Sequence, residues 1–221
     1  MPAKLSRFEP ITGVDGLLTA TKGELRCTAI TLQSGGLCLF SPVAGLNACA
    51  QESLRERGAV EFLIAPNHYH NKGMAEYAKA YPAASIAASE ASQPRLKRMT
   101  GLNFQGLEAL SQSFPEGMRL VPPEGLKTGE VWLVAPAGNG VAWLVVDAFA
   151  GAKGLPEEGD ETVRLLGTFP KFGIQDRSLY LEWLSRFLHS EPPDVLIPCH
   201  GQIESGPRLK VQLRNLMAGL A

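Results

Sequence analysis

The sequence predicts a mixed α/β layered fold, and three observations carry that expectation. Apolar runs of strand length recur along the chain: "LRCTAITL" (residues 25–32), "GLCLFS" (36–41), "AVEFLIAP" (59–66), "EVWLVAP" (130–136) and "VAWLVVDAF" (141–149). Segments with helical spacing and helix stop signals stand between several of them. Short polar turns join others directly. Strands that alternate with helices, with hairpins mixed in, are the pattern of sheets packed between helical layers.

Each element has its own warrant. "QSGG" joins the first two runs and supplies hairpin turn chemistry. "LNACAQESLRERG" (46–58) reads as a helix that stops at a glycine. "AVEFLIAP" is continuously apolar, as expected of a strand buried on both faces. Asn71 is placed to cap a helix over 73–80, which the Tyr81–Pro82 step ends, and "ASIAAS" (84–89) follows as a strand. Residues 90–123 mix helix-like pieces with the loop signals "SFPEG" and "VPPEG", and could serve as a lid or as extra packing. "AGNG" turns the two tryptophan-bearing runs into a hairpin, where Trp132 and Trp143 are expected to pack. "AGAKGLPEEGDE" (150–161) reads as a solvated acidic loop without calcium-loop spacing. Asp176 caps the next helix, with Leu179, Trp183, Leu184, Phe187 and Leu188 on one face. "PPDVLIPCHGQ" (192–202) runs from strand to loop, and 207–218 is a terminal helix with Pro207 at its start. Without repeats, low-complexity tracts or a linker, one domain over 1–221 is expected.

Composition narrows the function classes. The net charge is −1 and 45% of the residues are hydrophobic, so a substantial core is available and no global charge draws the chain to nucleic acid or anionic lipid. The basic stretch "RLKRM" (95–99) reads as a solvated helix face. No apolar run approaches the ~18 residues of a membrane span, and "MPAKLSRFEP" lacks the apolar core of a secretion signal. The four cysteines have no CxxC spacing, which fits reduced thiols in a cytoplasmic protein; Cys27, Cys38 and Cys49 read as small core residues. The expected partner is a small-molecule substrate or ligand, with neither nucleic acid nor membrane, and homo-oligomerisation is left open.

Three polar groups share one context: each follows an apolar strand. His68 and His70 follow "EFLIAP", Asp147 ends "VAWLVV", and His200 follows "DVLIP". Loops at strand ends are where layered folds build sites. In an extended segment residues i and i+2 project to the same side, so His68 and His70 could present two imidazoles to one cation. Imidazoles with a carboxylate suit zinc, iron or copper. Alone, the HxH pair is also compatible with two loop histidines, Asp147 with a structural carboxylate, and His200 with a loop residue that satisfies backbone groups. Cys199 beside His200 points to the opposite face in an extended segment and reads as core. Ser41 lacks the glycine framing of a nucleophile elbow. His189 suits the C-terminal dipole of its helix.

In order, "NHYHNKG", "VVDAF" and "DVLIPCHG" resemble the motifs of the metallo-β-lactamase-like superfamily, over most of the chain. The stretch from "LFSPVAGL" to "YPAASIAAS" resembles more closely a branch with degenerate motifs, the DUF4336 type. The resemblance implies an αββα four-layer sandwich with its site at the edge of two facing sheets. It implies His68, His70, Asp147 and His200 as metal ligands. The departures are as informative. Lys72 stands where the HxHxDH motif has aspartate, Gly73 where it has the next histidine, and Gly138 near the turn that would carry another.

These losses point away from two metals. An ammonium 4 Å from a dication is repelled by about 8 kcal/mol at an effective dielectric near 20. The expectation is therefore one divalent metal, zinc first and iron second, serving a metal-dependent hydrolase in which metal-held water is the nucleophile. Asp147 would orient that water. Lys72, if turned inward, would pair with Asp147 in place of a second metal; the other reading sends Lys72 to solvent. The alternative is a catalytically inactive binding or regulatory domain that keeps the fold and holds no metal.

Overall fold

The computed structural model describes residues 4–154 and 162–220. Residues 155–161 of the acidic loop expected over 150–161 lie outside the described residues.

Two mixed sheets face each other. The first has the spatial order β1 (Glu9–Pro10), β2 (Leu17–Lys22), β3 (Leu25–Thr31), β4 (Leu37–Phe40), β5 (Val60–Ile64), β6 (Ser85–Ala87). Its first four strands are antiparallel neighbours, whereas β4, β5 and β6 run parallel. Parallel neighbours need a crossover. Helices α1 (Ala48–Arg55) and α2 (Met74–Ala80) supply those two. The second sheet comprises β7 (Arg119–Val121), β8 (Trp132–Ala137), β9 (Gly140–Val145), β10 (Val195–Pro198) and β11 (Glu204–Ser205), in the spatial order β11-β10-β9-β8-β7. Here β9 and β10 are the parallel pair, connected through α6 (Arg177–Ser190).

The burial pattern explains the layers. β4 is buried at every position, so its alternate side chains enter different cores. Leu37 and Leu39 join Leu54 of α1, Met74 and Tyr77 of α2 and Leu96 of α3 (Gln93–Thr100). Cys38 and Phe40 face the second sheet and pack with Leu133 and Trp143. Behind that sheet, α6 and α7 (Leu209–Leu220) close the fourth layer with Tyr180, Leu184, Leu209 and Leu213. The hairpin tryptophans pack as expected: Phe187 stacks on Trp143 at 4.7 Å and on Trp183 at 5.0 Å between ring centroids. The αββα sandwich expected from the sequence is the observed architecture.

Several local expectations are corrected. Residues 90–123, for which lid and packing were both open, form α3, α4 (Glu108–Ser113) and β7 and bury Leu96, Leu110 and Phe114, and Arg95 of α3 lines the cavity described below. Asn71 does not cap α2. Gly73 holds the cap position, and the Asn71 amide instead donates to the carbonyl of His68. Asp176 does cap α6, accepting from the Leu179 N–H. Leu179 itself is exposed, and Tyr180 takes its place in the core. Cys27, Cys38 and Cys199 are buried, but Cys49 is exposed on α1. Among the described residues no helix is long and apolar enough to cross a membrane.

Candidate metal centre

Register brings the site together. In the second sheet Val145 of β9 lies beside Pro198 of β10. Each strand continues two residues further, so Asp147 and His200 leave the sheet edge level with each other. In the first sheet Phe40 of β4 lies beside Ile64 of β5, and the chain continues there into Ser41 and into the turn that holds Asn67 and His70. The site thus sits at the C-terminal ends of one parallel pair from each sheet. Backbone bonds stitch the two edges: Arg26 N–H donates to Cys199 O at 2.9 Å, and Gly201 N–H to Glu24 O at 2.8 Å. The Arg26 guanidinium donates across the same seam to the carbonyls of Pro198 and Gly201. Gly201 has φ +85°, and a Cβ there would lie 2.5 Å from the Gly151 carbonyl, so only glycine fits this loop.

Asp147 is the centre of the cluster. Its Oδ1 accepts from His70 Nε2 at 3.0 Å and from His200 Nε2 at 3.1 Å. Its Oδ2 accepts from Asn67 Nδ2 at 2.8 Å. The two imidazoles meet edge to face with centroids 5.5 Å apart. His70, Asp147 and His200 each offer a ligand atom, all within 4.8 Å of one another. Burial alone would raise the Asp147 pKa, but the charge of His70 and hydrogen bonds from His200, His70 and Asn67 hold it well below the usual carboxylate range. It is an anion ready to bind a cation.

Three supports are not legible as site residues in the sequence. Ser41 Oγ lies 2.7 Å from His70 Nδ1, and Ser41 has φ +58°, the only positive φ among the described non-glycine residues. When His70 carries its proton on Nδ1, it donates to Ser41 Oγ and Nε2 is free to bind a cation. Glu130 lies fully buried under the cluster, accepting from Trp132 Nε1 at 2.8 Å and from the Asp147 and Ala148 N–H groups at 3.3 Å. Desolvation and the neighbouring Asp147 charge push its pKa up to about 7. Asn67 reaches both carboxylates, which is why it is buried in a turn otherwise open to solvent. A buried asparagine after a strand and a glutamate before one are ordinary in sequence; only their convergence marks them.

Three positions singled out in the sequence do not join the cluster. His68 does not join the cluster. Residues 68–73 form turns, not an extended segment, so positions i and i+2 do not share a side. The His68 ring packs edge-on against Tyr69, its Nε2 buried without a hydrogen bond. Burial and the charge of Arg95 hold its pKa below the usual histidine value. Lys72 lines the cavity but is exposed, as the second of its two readings has it, and it forms no ion pair with Asp147. Gly138 occupies the tight turn between β8 and β9, at the opposite end of β9 from Asp147. The approach to β8 that does reach the site is Thr128–Glu130, with Thr128 in the cavity wall. Gly73 has a packing reason: a Cβ there would lie 2.2 Å from the Pro42 carbonyl.

The cluster forms the floor of a cavity of about 840 Å³. Its walls include Leu25, Val43, Tyr69 and the short helix α5 (Phe169–Phe172).

Solved structures confirm that this chain has the metallo-β-lactamase fold. It is similar over 97% of its length to a metallo-beta-lactamase from Pontibacter korlensis, covering 99% of that chain at 13% identity and a TM-score of 0.66. It is similar over its full length to the DIM-1 metallo-beta-lactamase exposed to ceftazidime, covering all of that chain, again at 13% identity, with a TM-score of 0.68. A third similar structure is the metal-soaked Flv1 flavodiiron core from Synechocystis sp. PCC6803, at 13% identity and a TM-score of 0.63; there the chain spans 62% of the matched chain. No protein-family model and no curated protein matches the sequence.

Proposed function

We propose that the chain binds one divalent metal through His70, Asp147 and His200 and acts as a metal-dependent hydrolase on a small molecule. One observation carries the reading: three donors from two separate sheets converge on the floor of a large cavity. The donor spacing fits a metal. Oδ1 lies 3.0 and 3.1 Å from the two Nε2 atoms. Metal–ligand bonds of about 2.0–2.1 Å in a tetrahedron would separate ligands by about 3.3 Å. Two imidazoles and a carboxylate suit zinc and also ferrous iron, and leave coordination positions open. A metal held there would polarise a carbonyl or phosphoryl oxygen and lower the pKa of water toward about 7.

The protein's own groups do the rest. Asn67 holds Oδ2 and so aims Oδ1 at the cluster. Ser41 holds the His70 ring through Nδ1, leaving Nε2 toward the cluster. At position 73 the Pro42 carbonyl takes the space of a Cβ, so no side-chain ligand fits at that position, which supports one metal rather than two. The degenerate motif, its likeness to the DUF4336 branch, a single domain and a cytoplasmic setting belong to the same reading. The test is a screen of ester, thioester, lactone, amide and phosphoester hydrolysis with zinc- and iron-loaded protein. The reading expects an activity lost with chelator and in His70→Ala and His200→Ala, and retained in His68→Ala. An activity indifferent to chelator would reject it.

A further inference from the structure

The cavity walls carry more positive charge than the proposed reaction needs. Lys22, Lys72 and Arg95 all line the cavity, and none forms an ion pair among the described residues. Among the described residues Asp147 is the only acidic residue in that lining, and its oxygens are engaged by His70, His200 and Asn67. Arg95 is the most telling of the three. Its guanidinium carbon lies 4.8 Å from the centre of the Tyr69 ring, while its Nε is buried without a hydrogen-bond partner. A guanidinium that lines the cavity with no carboxylate partner among the described residues suits an oxyanion.

The same cavity gathers exposed apolar surface. Six large hydrophobic side chains are exposed among the described residues, and three of them, Leu25, Tyr69 and Phe172, line this one cavity. Exposed apolar groups that gather at one concave site mark a binding surface, whereas scattered ones do not.

We propose that the site selects amphipathic oxyanions: molecules with an apolar chain or ring and a carboxylate or phosphate. The anion lies against Arg95 and Lys72, and the apolar body against Leu25 and Phe172. As a statement about the substrate this rests on the hydrolase reading above; as a statement about binding it stands on the cavity alone. The opposed signs at floor and wall give the ligand a direction. The cation-binding floor takes the scissile group, and the basic wall takes the distal anion.

The experiment is titration calorimetry with 4-phenylbutyrate, 4-phenylbutyl phosphate and 4-phenylbutylamine, on chelator-treated and on zinc-loaded protein. The expected result is at least tenfold tighter binding of an anion than of the amine in both preparations. The tighter of the two anions identifies the headgroup as carboxylate or phosphate. The double variant Lys72→Gln, Arg95→Gln loses this preference, and Phe172→Ser weakens all three ligands alike. Equal or tighter binding of the amine overturns the proposal. So does an anion preference that needs zinc and survives the double variant, because the metal would then be the anion receptor. An anion preference in a protein that takes up no zinc upholds the proposal for binding while the hydrolase reading fails.

Discussion

Asn67 and Asp147, eighty positions apart in the chain, are joined across the two sheet edges by a hydrogen bond of 2.8 Å from the amide Nδ2 to Oδ2. The same amide approaches Glu130 at 3.3 Å, so one neutral side chain spaces two buried carboxylates. Asn67→Ala frees Oδ2 and brings the two carboxylates into unshielded contact. Groups that orient a ligand in this way are typically worth 10–100-fold in metal affinity. The predicted result is a loss of that size in competition with a chromogenic chelator, with the far-UV circular dichroism unchanged.

Ser41 combines two effects that substitution can separate. Its backbone sits at φ +58°, a conformation that costs a non-glycine residue roughly 1 kcal/mol, and its hydroxyl meets His70 Nδ1. Ser41→Gly relieves the strain and removes the hydroxyl; Ser41→Ala removes only the hydroxyl. Both variants are predicted to bind metal about tenfold more weakly. In urea unfolding Ser41→Gly is predicted to be more stable than Ser41→Ala by about 1 kcal/mol.

Placing a histidine at position 73 is predicted not to build a second metal site. The space for its Cβ is taken by the Pro42 carbonyl at 2.2 Å. Gly73→His is predicted to destabilise the fold by about 1–3 kcal/mol, as overpacking does, and to leave the metal stoichiometry unchanged. Thermal unfolding and metal analysis of the same preparation check both parts.

Glu130 gives a pH dependence with a definite sign. Desolvation and Asp147 raise its folded-state pKa to about 7, whereas the unfolded chain titrates near 4.5. Between those values the native state holds a proton that the unfolded state has released, so stability falls as pH rises through the window, by at most ~1.4 kcal/mol per pH unit. In Glu130→Gln that slope is absent. In chelator-treated protein the stability advantage of wild type over Glu130→Gln is therefore predicted to shrink from pH 5 to pH 7 and then level off. An advantage that grows with pH contradicts the assignment.

The architecture was largely legible because its signals are local and additive. Continuous apolar runs such as 59–66 place buried strands, and Asp176 marks its helix by a cap that the structure contains. The start of the first sheet was not legible: the edge strand β1 and its neighbour β2 pair in a register set by the turn at residues 11–16, and neither has a strong pattern of its own. For the candidate site, His70, Asp147 and His200 were readable from strand-end position. His68 was misread because the alternation rule holds only in extended chain, and the backbone turns at Asn67. Asn67, Ser41 and Glu130 matter through contacts made 29 to 80 positions away, which no local pattern encodes.

The central claim is that one metal is held by these three side chains and not by His68. The most direct test is the metal content, by mass spectrometry, of protein purified without chelator and then exposed to one equivalent of zinc or ferrous iron. One ion per chain is predicted for wild type and His68→Ala, and less than a tenth of that for His70→Ala, Asp147→Ala and His200→Ala, all folded. Retention of a full equivalent by the last three variants, or its loss in His68→Ala alone, would contradict it.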